Sequence, residues 1–190
     1  MTAERARRRT DSAPETAEVE ALRQEVERLK AEVERLGSLA DRDVLTPLYN
    51  RRAFMRELSR AIAFCRRYGA QATLLYLDLD GFKGVNDALG HAAGDAALKR
   101  VAGLLSANIR ESDVAARLGG DEFALLLFQA GEADARAKAQ SLADLIAAED
   151  AGGGLRLGGT FGVRAWEDHQ DPETWLAEAD AAMFLRKPGR

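Results

Sequence analysis

The stretch VAARLGGDEFALLLF, residues 114–128, decides the fold prediction for this chain. Two short apolar runs at its ends flank the tetrapeptide GGDE at positions 119–122. Paired glycines between apolar runs are typical of a β-hairpin, because glycine readily adopts the positive φ angles of tight turns. The pattern therefore predicts two antiparallel strands, with the acids Asp121 and Glu122 at the tip of the hairpin.

The rest of the chain alternates between segments of helical and strand character. The segment 73–79 is an apolar run apart from Thr73 and Asp78, as expected for a central strand that is buried on both faces. Because one strand pair is a hairpin, the sheet must be mixed, which predicts an α/β layer fold rather than a fully parallel one. The strand order stays open. The predicted strands are 73–79, 114–118, 123–128 and 155–166, and the predicted helices are 51–68, 92–109, 132–148 and 172–185.

Composition restricts the class of protein. Of 190 residues, 46% are hydrophobic, which supplies a core and excludes wholesale disorder. The formal net charge of -4 gives no overall attraction to nucleic acid or to anionic membranes. The single cysteine, Cys65, excludes an intramolecular disulfide, and no apolar run approaches the roughly 18 residues of a membrane span. We therefore expect a soluble, cytoplasmic protein without nucleic-acid or membrane partners, with Cys65 in its core.

The N-terminal part of the chain has a pattern of its own. Residues 1–16 are arginine-rich and contain few apolar side chains, which predicts a disordered basic arm. Residues 17–41 predict a parallel, dimeric coiled coil, since valine and leucine alternate at heptad positions a and d: Val19, Leu22, Val26, Leu29, Val33, Leu36 and Ala40. The alternative is one amphipathic helix packed on the domain. Gly37 and Ser38 suggest a flexible joint before a globular domain at 43–190.

Carboxylates stand at two places where the hydrophobic pattern ends. The buried strand runs into Asp78-Leu79-Asp80, and the hairpin tip carries GGDE. Carboxylates at a strand end suit Mg²⁺, which prefers oxygen ligands, and adjacent glycines let backbone N–H groups approach anionic oxygens. If these two places are neighbours in the sheet, they form a site for metal-assisted phosphoryl or nucleotidyl transfer. Ordinary polar strand termination and turn chemistry are the alternatives.

Several ordered motifs across residues 43–190 match the pattern of one protein family. They are RLGGDEF at 117–123, DVLTPLYNRR at 43–52, LDLDGFKGVND at 77–87, GHAAGD at 90–95, TFGV at 160–163, AD at 179–180 and KPGR at 187–190. Together they resemble the GGDEF family, the diguanylate cyclases that condense two GTP into cyclic di-GMP. The resemblance implies an α+β fold like that of nucleotidyl cyclases and the polymerase palm, with a mixed, mostly antiparallel central sheet surrounded by helices.

The resemblance also implies a two-metal site. Asp78, Asp121 and the Leu79 carbonyl would hold two Mg²⁺ ions, with Mn²⁺ as a possible replacement, and Asp121 and Glu122 would be the catalytic residues. Glu122 would assist metal binding or accept a proton, two roles that the sequence does not separate. The residues implied to contact the triphosphate are Lys83, Gly119, Gly120, Lys187 and Arg190. The closing segment 187–190 is one residue shorter than is usual in the family.

A second group of residues is implied in guanine recognition. Asn86 and Asp95 would read the base, because a carboxylate accepts hydrogen bonds from the N1–H and N2–H₂ of guanine, a donor pair that adenine lacks. His91 and Phe82 would line the base pocket. The alternatives are helix capping for Asn86 and Asp95, a turn or core role for His91, and a core role for Phe82.

A separate product site is implied by Arg110 and Asp113. Their Arg-x-x-Asp spacing, shortly before the hairpin, resembles the family's inhibitory site, where cyclic di-GMP binds away from catalysis. The supporting arginine that the family carries near Ser141 is absent from this chain. The alternative is an arginine near a helix C-terminus, followed by an aspartate that opens a turn.

These implications describe a diguanylate cyclase that joins two GTP and releases pyrophosphate. The two substrates would meet across a dimer interface, with the coiled coil holding the homodimer. Three alternatives stay open: a catalytically silent receptor for cyclic di-GMP, another nucleotidyl transferase of similar fold, and a purely structural coiled-coil dimer. The activating signal is not readable from the sequence.

Overall fold

The computed structural model describes residues 12–39, 41–168 and 171–187. The chain divides into two compact units, Met1–Ala40 and Asp41–Arg190. The matched motifs at 43–187 lie in the second unit, and Arg190 lies outside the described residues. The sheet that positions the candidate site also belongs to the second unit.

The first unit contains one helix, α1, which spans Ser12–Leu39. It begins inside the segment expected to be disordered, so that expectation is wrong for residues 12–16, and residues 1–11 lie outside the described residues. Pro14 is compatible with this start, because a proline in the first turn removes no intrahelical hydrogen bond. The helix also continues through Gly37 and Ser38, where a joint was expected.

The predicted apolar stripe lies along one side of α1. Val19, Leu22, Val26 and Leu29 are between 46% and 60% exposed in the single chain. The side chains of Val33, Leu36 and Ala40 lie outside the described part of the structure. Pairing of two such stripes stays a prediction, because the structure contains one chain.

The second unit is built on a five-stranded sheet with the order β1-β3-β4-β2-β7. Its strands are β1 (Tyr49–Asn50), β2 (Ala72–Asp80), β3 (Val114–Gly119), β4 (Glu122–Phe128) and β7 (Gly158–Ala165). Strand β1 pairs parallel with β3, and the three other strand pairs are antiparallel. The mixed, mostly antiparallel sheet is therefore confirmed, and so is the hairpin formed by β3 and β4.

Five helices and a small hairpin complete this unit. The helices are α2 (Arg51–Tyr68), α3 (Phe82–Leu89), α4 (His91–Ala107), α5 (Glu132–Ala148) and α6 (Pro172–Phe184), and the hairpin pairs β5 (Asp150–Gly152) with β6 (Leu155–Arg156). The single strand expected at 155–166 is divided between β6 and β7. The chain breaks at Leu157, which is buried in the core while the strands on either side pair with different partners.

The core has two layers, one on each face of the sheet. Leu75, Leu77 and Leu79 of β2 face a cluster with α4 and α5. Leu74 and Tyr76 alternate with them and face a second cluster with α2 and α6. Strand β2 is therefore buried on both faces, as its apolar run predicts. Cys65 lies buried in the second cluster, as expected.

Candidate active site

The two acidic segments meet at one end of the sheet. Strands β2 and β4 pair in a register that sets Asp78 opposite Glu122. The backbone N–H of Leu79 donates a 3.2 Å hydrogen bond to the carbonyl of Asp121, which ties the hairpin tip to the end of β2. The sequence predicts a shared site only if these two segments are neighbours in the sheet. In the structure they are.

The hairpin tip has a backbone that favours glycine. Gly119 has φ +153° and Gly120 has φ +51°, values in the left-handed region that other residues rarely adopt. The Arg117 guanidinium donates hydrogen bonds of 2.9 and 2.7 Å to the Gly120 carbonyl and forms a 3.2 Å ion pair with Asp43. Burial opposes ionisation of Asp43, but hydrogen bonds from Thr46 and Arg117 lower its pKa overall. The tip is thus held by the segment that precedes β1.

A cavity of about 580 Å³ lies beside the two acidic segments. Candidate site residues from the end of β2, the start of α3, the hairpin tip and the segment after α6 line this cavity: Asp78, Leu79, Phe82, Lys83, Asp121, Glu122 and Lys187. The implied site residues therefore come from three separate stretches of sequence, 78–83, 121–122 and 187. Gly119 and Gly120 are exposed at the hairpin tip, and Arg190 lies outside the described residues.

A lysine and an aspartate form an ion pair inside this cavity. The Lys187 Nζ lies 2.6 Å from Asp78 Oδ1. Burial alone would lower the pKa of Lys187, but the charges of Asp78, Asp80 and Asp121 raise it above its ordinary value. Within the described residues, the buried Asp78 Oδ1 accepts no hydrogen bond of normal geometry. The lysine therefore neutralises this oxygen mainly as a point charge.

Unlike Asp78, which is paired with Lys187, Asp121 lies where its ionised form is disfavoured. Burial, the largest cause, and the nearby charge of Asp78 raise the pKa of Asp121. Lys187 and Arg117 offset this effect only in part. A carboxylate in this position gains from an added positive charge, as expected for a metal ligand.

The donor atoms suit a hard cation that shares its ligands with a substrate. The chain offers the Asp78 and Asp121 carboxylates and the carbonyl of Leu79, which are the oxygen ligands that Mg²⁺ prefers. Asp80 is engaged elsewhere, because Thr160 Oγ1 donates a 2.6 Å hydrogen bond to it. Among the described residues, no group of three His, Cys, Asp or Glu side chains forms a metal site by itself. The residues fit a Mg²⁺ ion whose remaining ligands come from water and phosphate.

The candidate base-reading residues lie on the neighbouring helix pair, outside the residues that line the cavity. Helices α3 and α4 are separated only by Gly90. The α4 backbone approaches Asn86 so closely that a Cβ on Gly94 would lie 2.0 Å from Asn86 Oδ1 and 3.3 Å from Phe82 Cζ. Asp95 follows in sequence and is exposed. Phe82 belongs both to this helix pair and to the cavity lining, so it connects the two groups.

The structure also tests the alternatives for these residues. Asn86 and Asp95 lie inside their helices, and the N-cap positions are Gly81 and Gly90. N-capping therefore does not explain either side chain. His91 is exposed at the start of α4, so a core role is wrong for it, whereas Phe82 is half-buried against the core.

Arg110 and Asp113 lie away from this cavity, in the loop before β3. They line a different cavity of about 530 Å³, together with residues of α5 that include Lys138. The Asp113 carboxylate accepts hydrogen bonds from the backbone N–H groups of Arg110, at 3.1 Å, and Phe128, at 3.0 Å. Asp113 thus has the turn-stabilising role that the alternative predicts, while the Arg110 side chain is exposed.

Two residues near the site have no role assigned from the sequence: Asp180, which belongs to a matched motif, and Tyr76. Asp180 lines the cavity from α6, and Tyr76 lies buried two residues before Asp78 on the same face of β2. Burial and the adjacent Glu122 raise the pKa of Tyr76, so its hydroxyl stays protonated beside the carboxylate. The alternation of β2 contained the signal for Tyr76, since residues two apart on a strand share a face.

Comparison with known proteins identifies the family. The sequence profile described as "Diguanylate cyclase, GGDEF domain" matches residues 40–189. The diguanylate cyclase TpbB of Pseudomonas aeruginosa is 40% identical over 153 residues, which cover 78% of this chain and 35% of TpbB. The probable diguanylate cyclase DgcE of Escherichia coli is 39% identical over 157 residues, which cover 79% of this chain and 14% of DgcE. The chain thus spans about a third or less of these relatives.

Solved structures agree with the sequence comparison. The coiled coil and GGDEF domain of DgcB from Caulobacter crescentus, in complex with c-di-GMP, has a TM-score of 0.76 at 29% identity, covering 90% of this chain and 92% of that one. The GGDEF domain of TpbB has a TM-score of 0.71 at 40% identity, covering 77% and 88%. The palm-like nucleotidyl cyclase fold is therefore confirmed.

One negative finding accompanies these matches. Among the described residues, no helix combines the length and the apolar character that crossing a bilayer requires.

The motifs, the sheet order, the paired acidic segments and the family match all lead to the same assignment. The chain belongs to the GGDEF domain family of diguanylate cyclases.

Proposed function

We propose that this chain condenses two GTP into cyclic di-GMP, with release of pyrophosphate, in a Mg²⁺-dependent reaction across a homodimer. The observation that carries the proposal is that Asp78, Leu79 and Asp121 line one cavity together with Lys83 and Lys187. Oxygen ligands for a cation and amines for phosphates are both required to bind a nucleoside triphosphate with its metal.

The acidic residues Asp78, Asp121 and Glu122 and the Leu79 carbonyl serve the metal in this proposal. When bound, Mg²⁺ neutralises phosphate charge and lowers the pKa of the attacking 3′-hydroxyl. Asp78, Asp121 and the Leu79 carbonyl hold the metal. Glu122, which faces Asp78 across the strands, assists in metal binding or accepts the hydroxyl proton.

The phosphates and the base occupy opposite ends of the bound nucleotide. The triphosphate contacts the amines of Lys83 and Lys187, the guanidinium of Arg190, and the backbone at Gly119 and Gly120. The guanine lies between α3 and α4, beside Phe82 and His91. The Asp95 carboxylate accepts hydrogen bonds from the guanine edge, and the Asn86 amide can accept or donate there. The close approach of Asn86 to Gly94 supports this assignment, because it holds the amide against the α4 backbone one residue before Asp95.

The dimer is part of the proposal because the reaction is symmetric. Each chain offers one cavity of this composition among its described residues, whereas the product contains two nucleotides. The exposed stripe on α1 supports pairing through residues 17–41, and the solved DgcB structure, similar to 90% of this chain, contains a coiled coil. A short tether raises the effective concentration of the two domains to about the millimolar range.

Incubation with GTP and Mg²⁺, followed by chromatographic separation of the products, tests the function. We expect cyclic di-GMP from the wild-type chain and at least about a hundredfold lower rate from Asp121→Asn, because a metal ligand is lost. Asp144→Asn, which changes an exposed aspartate on α5, is the matched control and should retain its rate. Wild-type protein that forms neither cyclic di-GMP nor a linear dinucleotide while dimeric would exclude the proposal and leave a receptor or a scaffold.

A further inference from the structure

The ion pair in the cavity occupies an atom that the metal needs. Lys187 Nζ lies 2.6 Å from Asp78 Oδ1, and both side chains are largely buried, with exposed fractions of 29% and 13%. A divalent ion coordinated by a carboxylate oxygen approaches it to about 2.1 Å. An ammonium group at the same oxygen and a divalent cation therefore exclude each other, by volume and by charge.

When no cation is bound, Lys187 supplies positive charge to an acidic cavity. The end of β2 and the hairpin tip bring Asp78, Asp80 and Asp121 into the lining of the cavity that Lys187 also lines. An ammonium group beside these carboxylates compensates their negative charge. The lysine comes from the chain end that follows α6, with Arg186 bonded by its backbone N–H to the Met183 carbonyl, so its amine sits on a long flexible stem beyond an anchored turn.

We infer that Lys187 is a built-in competitor of the metal: it occupies Asp78 in the empty site and transfers to the nucleotide phosphates when metal and nucleotide bind together. This inference rests on the proposed function, because it takes Asp78 as a metal ligand. Metal alone displaces the lysine and leaves its charge without a partner beside a cation. Metal with a triphosphate gives the lysine new anionic oxygens within the same cavity.

The consequence is positive coupling between metal and nucleotide binding. Each ligand prefers the arrangement in which Lys187 has left Asp78, so each should bind more tightly when the other is present. A site of this kind stays nearly metal-free without substrate. Phosphate oxygens that complete the ligands of the metal couple the two bindings directly. The lysine adds to this coupling, since its removal frees Asp78 without affecting the other oxygen ligands.

Binding of Mn²⁺ to the full chain, followed by electron paramagnetic resonance of the free ion, tests this without turnover. Lys187→Gln is expected to bind Mn²⁺ about tenfold more tightly than wild type when no nucleotide is present, within the usual range of coupling between sites. A GTP analogue with a methylene bridge between the α- and β-phosphates should tighten Mn²⁺ binding by a larger factor in wild type than in Lys187→Gln, once the Mn²⁺ that the analogue chelates without protein is subtracted.

Two further variants separate the possible outcomes. Lys83→Gln removes the same charge from the same cavity, and among the described residues Lys83 forms no ion pair, so a change below about threefold is expected. Asp78→Asn should remove the binding. Wild-type binding that depends on Asp78 but is unchanged in Lys187→Gln overturns the inference alone. Equal tightening in both lysine variants also overturns it, and Mn²⁺ binding that ignores Asp78 overturns the proposed metal site as well.

Discussion

Asp121 stands half-buried at the start of β4, with the charge of Asp78 nearby. Its ionised form is poorly solvated, and the cations Lys187 and Arg117 compensate for this only in part. A side chain that served the fold alone would not keep such a charge. Residues selected for binding often lower stability, because their partner is absent from the empty protein.

This leads to a stability prediction for Asp121→Asn in metal-free buffer. A carboxyl whose pKa is raised by folding destabilises the native state above its unfolded pKa, and the penalty grows as pH rises through the folded pKa. Urea unfolding at neutral pH should therefore show the variant more stable than wild type by about 0.5–1 kcal/mol, after allowance for solvent screening. The difference should vanish below the ordinary aspartate value of 3.8. A variant less stable than wild type at neutral pH would contradict the electrostatic argument.

Arg110 carries the prediction for product inhibition. Its side chain is exposed beside a cavity of about 530 Å³, whereas Asp113 holds the loop through backbone hydrogen bonds. Arg110→Ala is therefore the cleaner test, because Asp113 variants would also disturb the loop. The concentration of cyclic di-GMP that halves each variant's own initial rate should rise by at least about tenfold, since a charge-assisted contact to guanine or phosphate is lost. Arg67→Ala, on an exposed part of α2, is the control, and equal inhibition of both variants would reject the site.

At the scale of elements, some strands and helices follow from the local sequence pattern, whereas others depend on tertiary packing. Strand β2 and the β3–β4 hairpin were predictable, because an apolar run and a glycine pair have few local alternatives. Helix α3 was not predicted: it has eight residues, and Gly84 and Asn86 inside it are weak helix formers. Strand β1 has two residues and exists through its pairing with β3, which no local pattern encodes.

In the candidate site, too, some features can be predicted from the sequence and others depend on tertiary packing. The carboxylates of the strand end and the hairpin were visible in the sequence, and the family motifs supplied Lys187. The ion pair between Lys187 and Asp78 was not predictable, because it joins residues more than a hundred positions apart through the packing of α6 on the sheet. Tyr76 was overlooked for a different reason: a buried tyrosine within an apolar run reads as core.

Helix α1 supports a prediction about assembly. Leu29→Asp sets a charge into the exposed apolar stripe, and burying that charge in a two-stranded seam is unfavourable. We expect the dimer dissociation constant from analytical ultracentrifugation to rise by more than about tenfold, and the specific activity to fall steeply on dilution. Gln24→Asp adds the same charge to α1 outside the stripe and should leave both unchanged. A dimer that is unaffected by Leu29→Asp would favour a helix that packs on its own domain.

For the whole molecule, the central constraint is that the described residues of one chain form one cavity with this set of acidic and basic side chains, whereas the product of the proposed reaction has two equivalent halves. Each phosphodiester bond requires the 3′-hydroxyl of one nucleotide to lie in line with the α-phosphate of the other. A single domain positions only its own nucleotide. The rate of cyclisation should therefore depend on the concentration of dimers that contain two competent domains, rather than on the total concentration of competent domains.

Mixing wild-type chain with Asp121→Asn at fixed total concentration tests this dependence. When subunits exchange freely, cyclic di-GMP should form in proportion to the square of the wild-type fraction, about one quarter of the full rate in an equal mixture. Mixed dimers hold one competent cavity, so a linear dinucleotide should accumulate in the same samples. As a control, the double variant Leu29→Asp with Asp121→Asn exchanges poorly through α1 and should inhibit less. A rate that falls in simple proportion to the wild-type fraction, without linear product, would mean that one chain completes both bonds and that the dimer is dispensable for the chemistry.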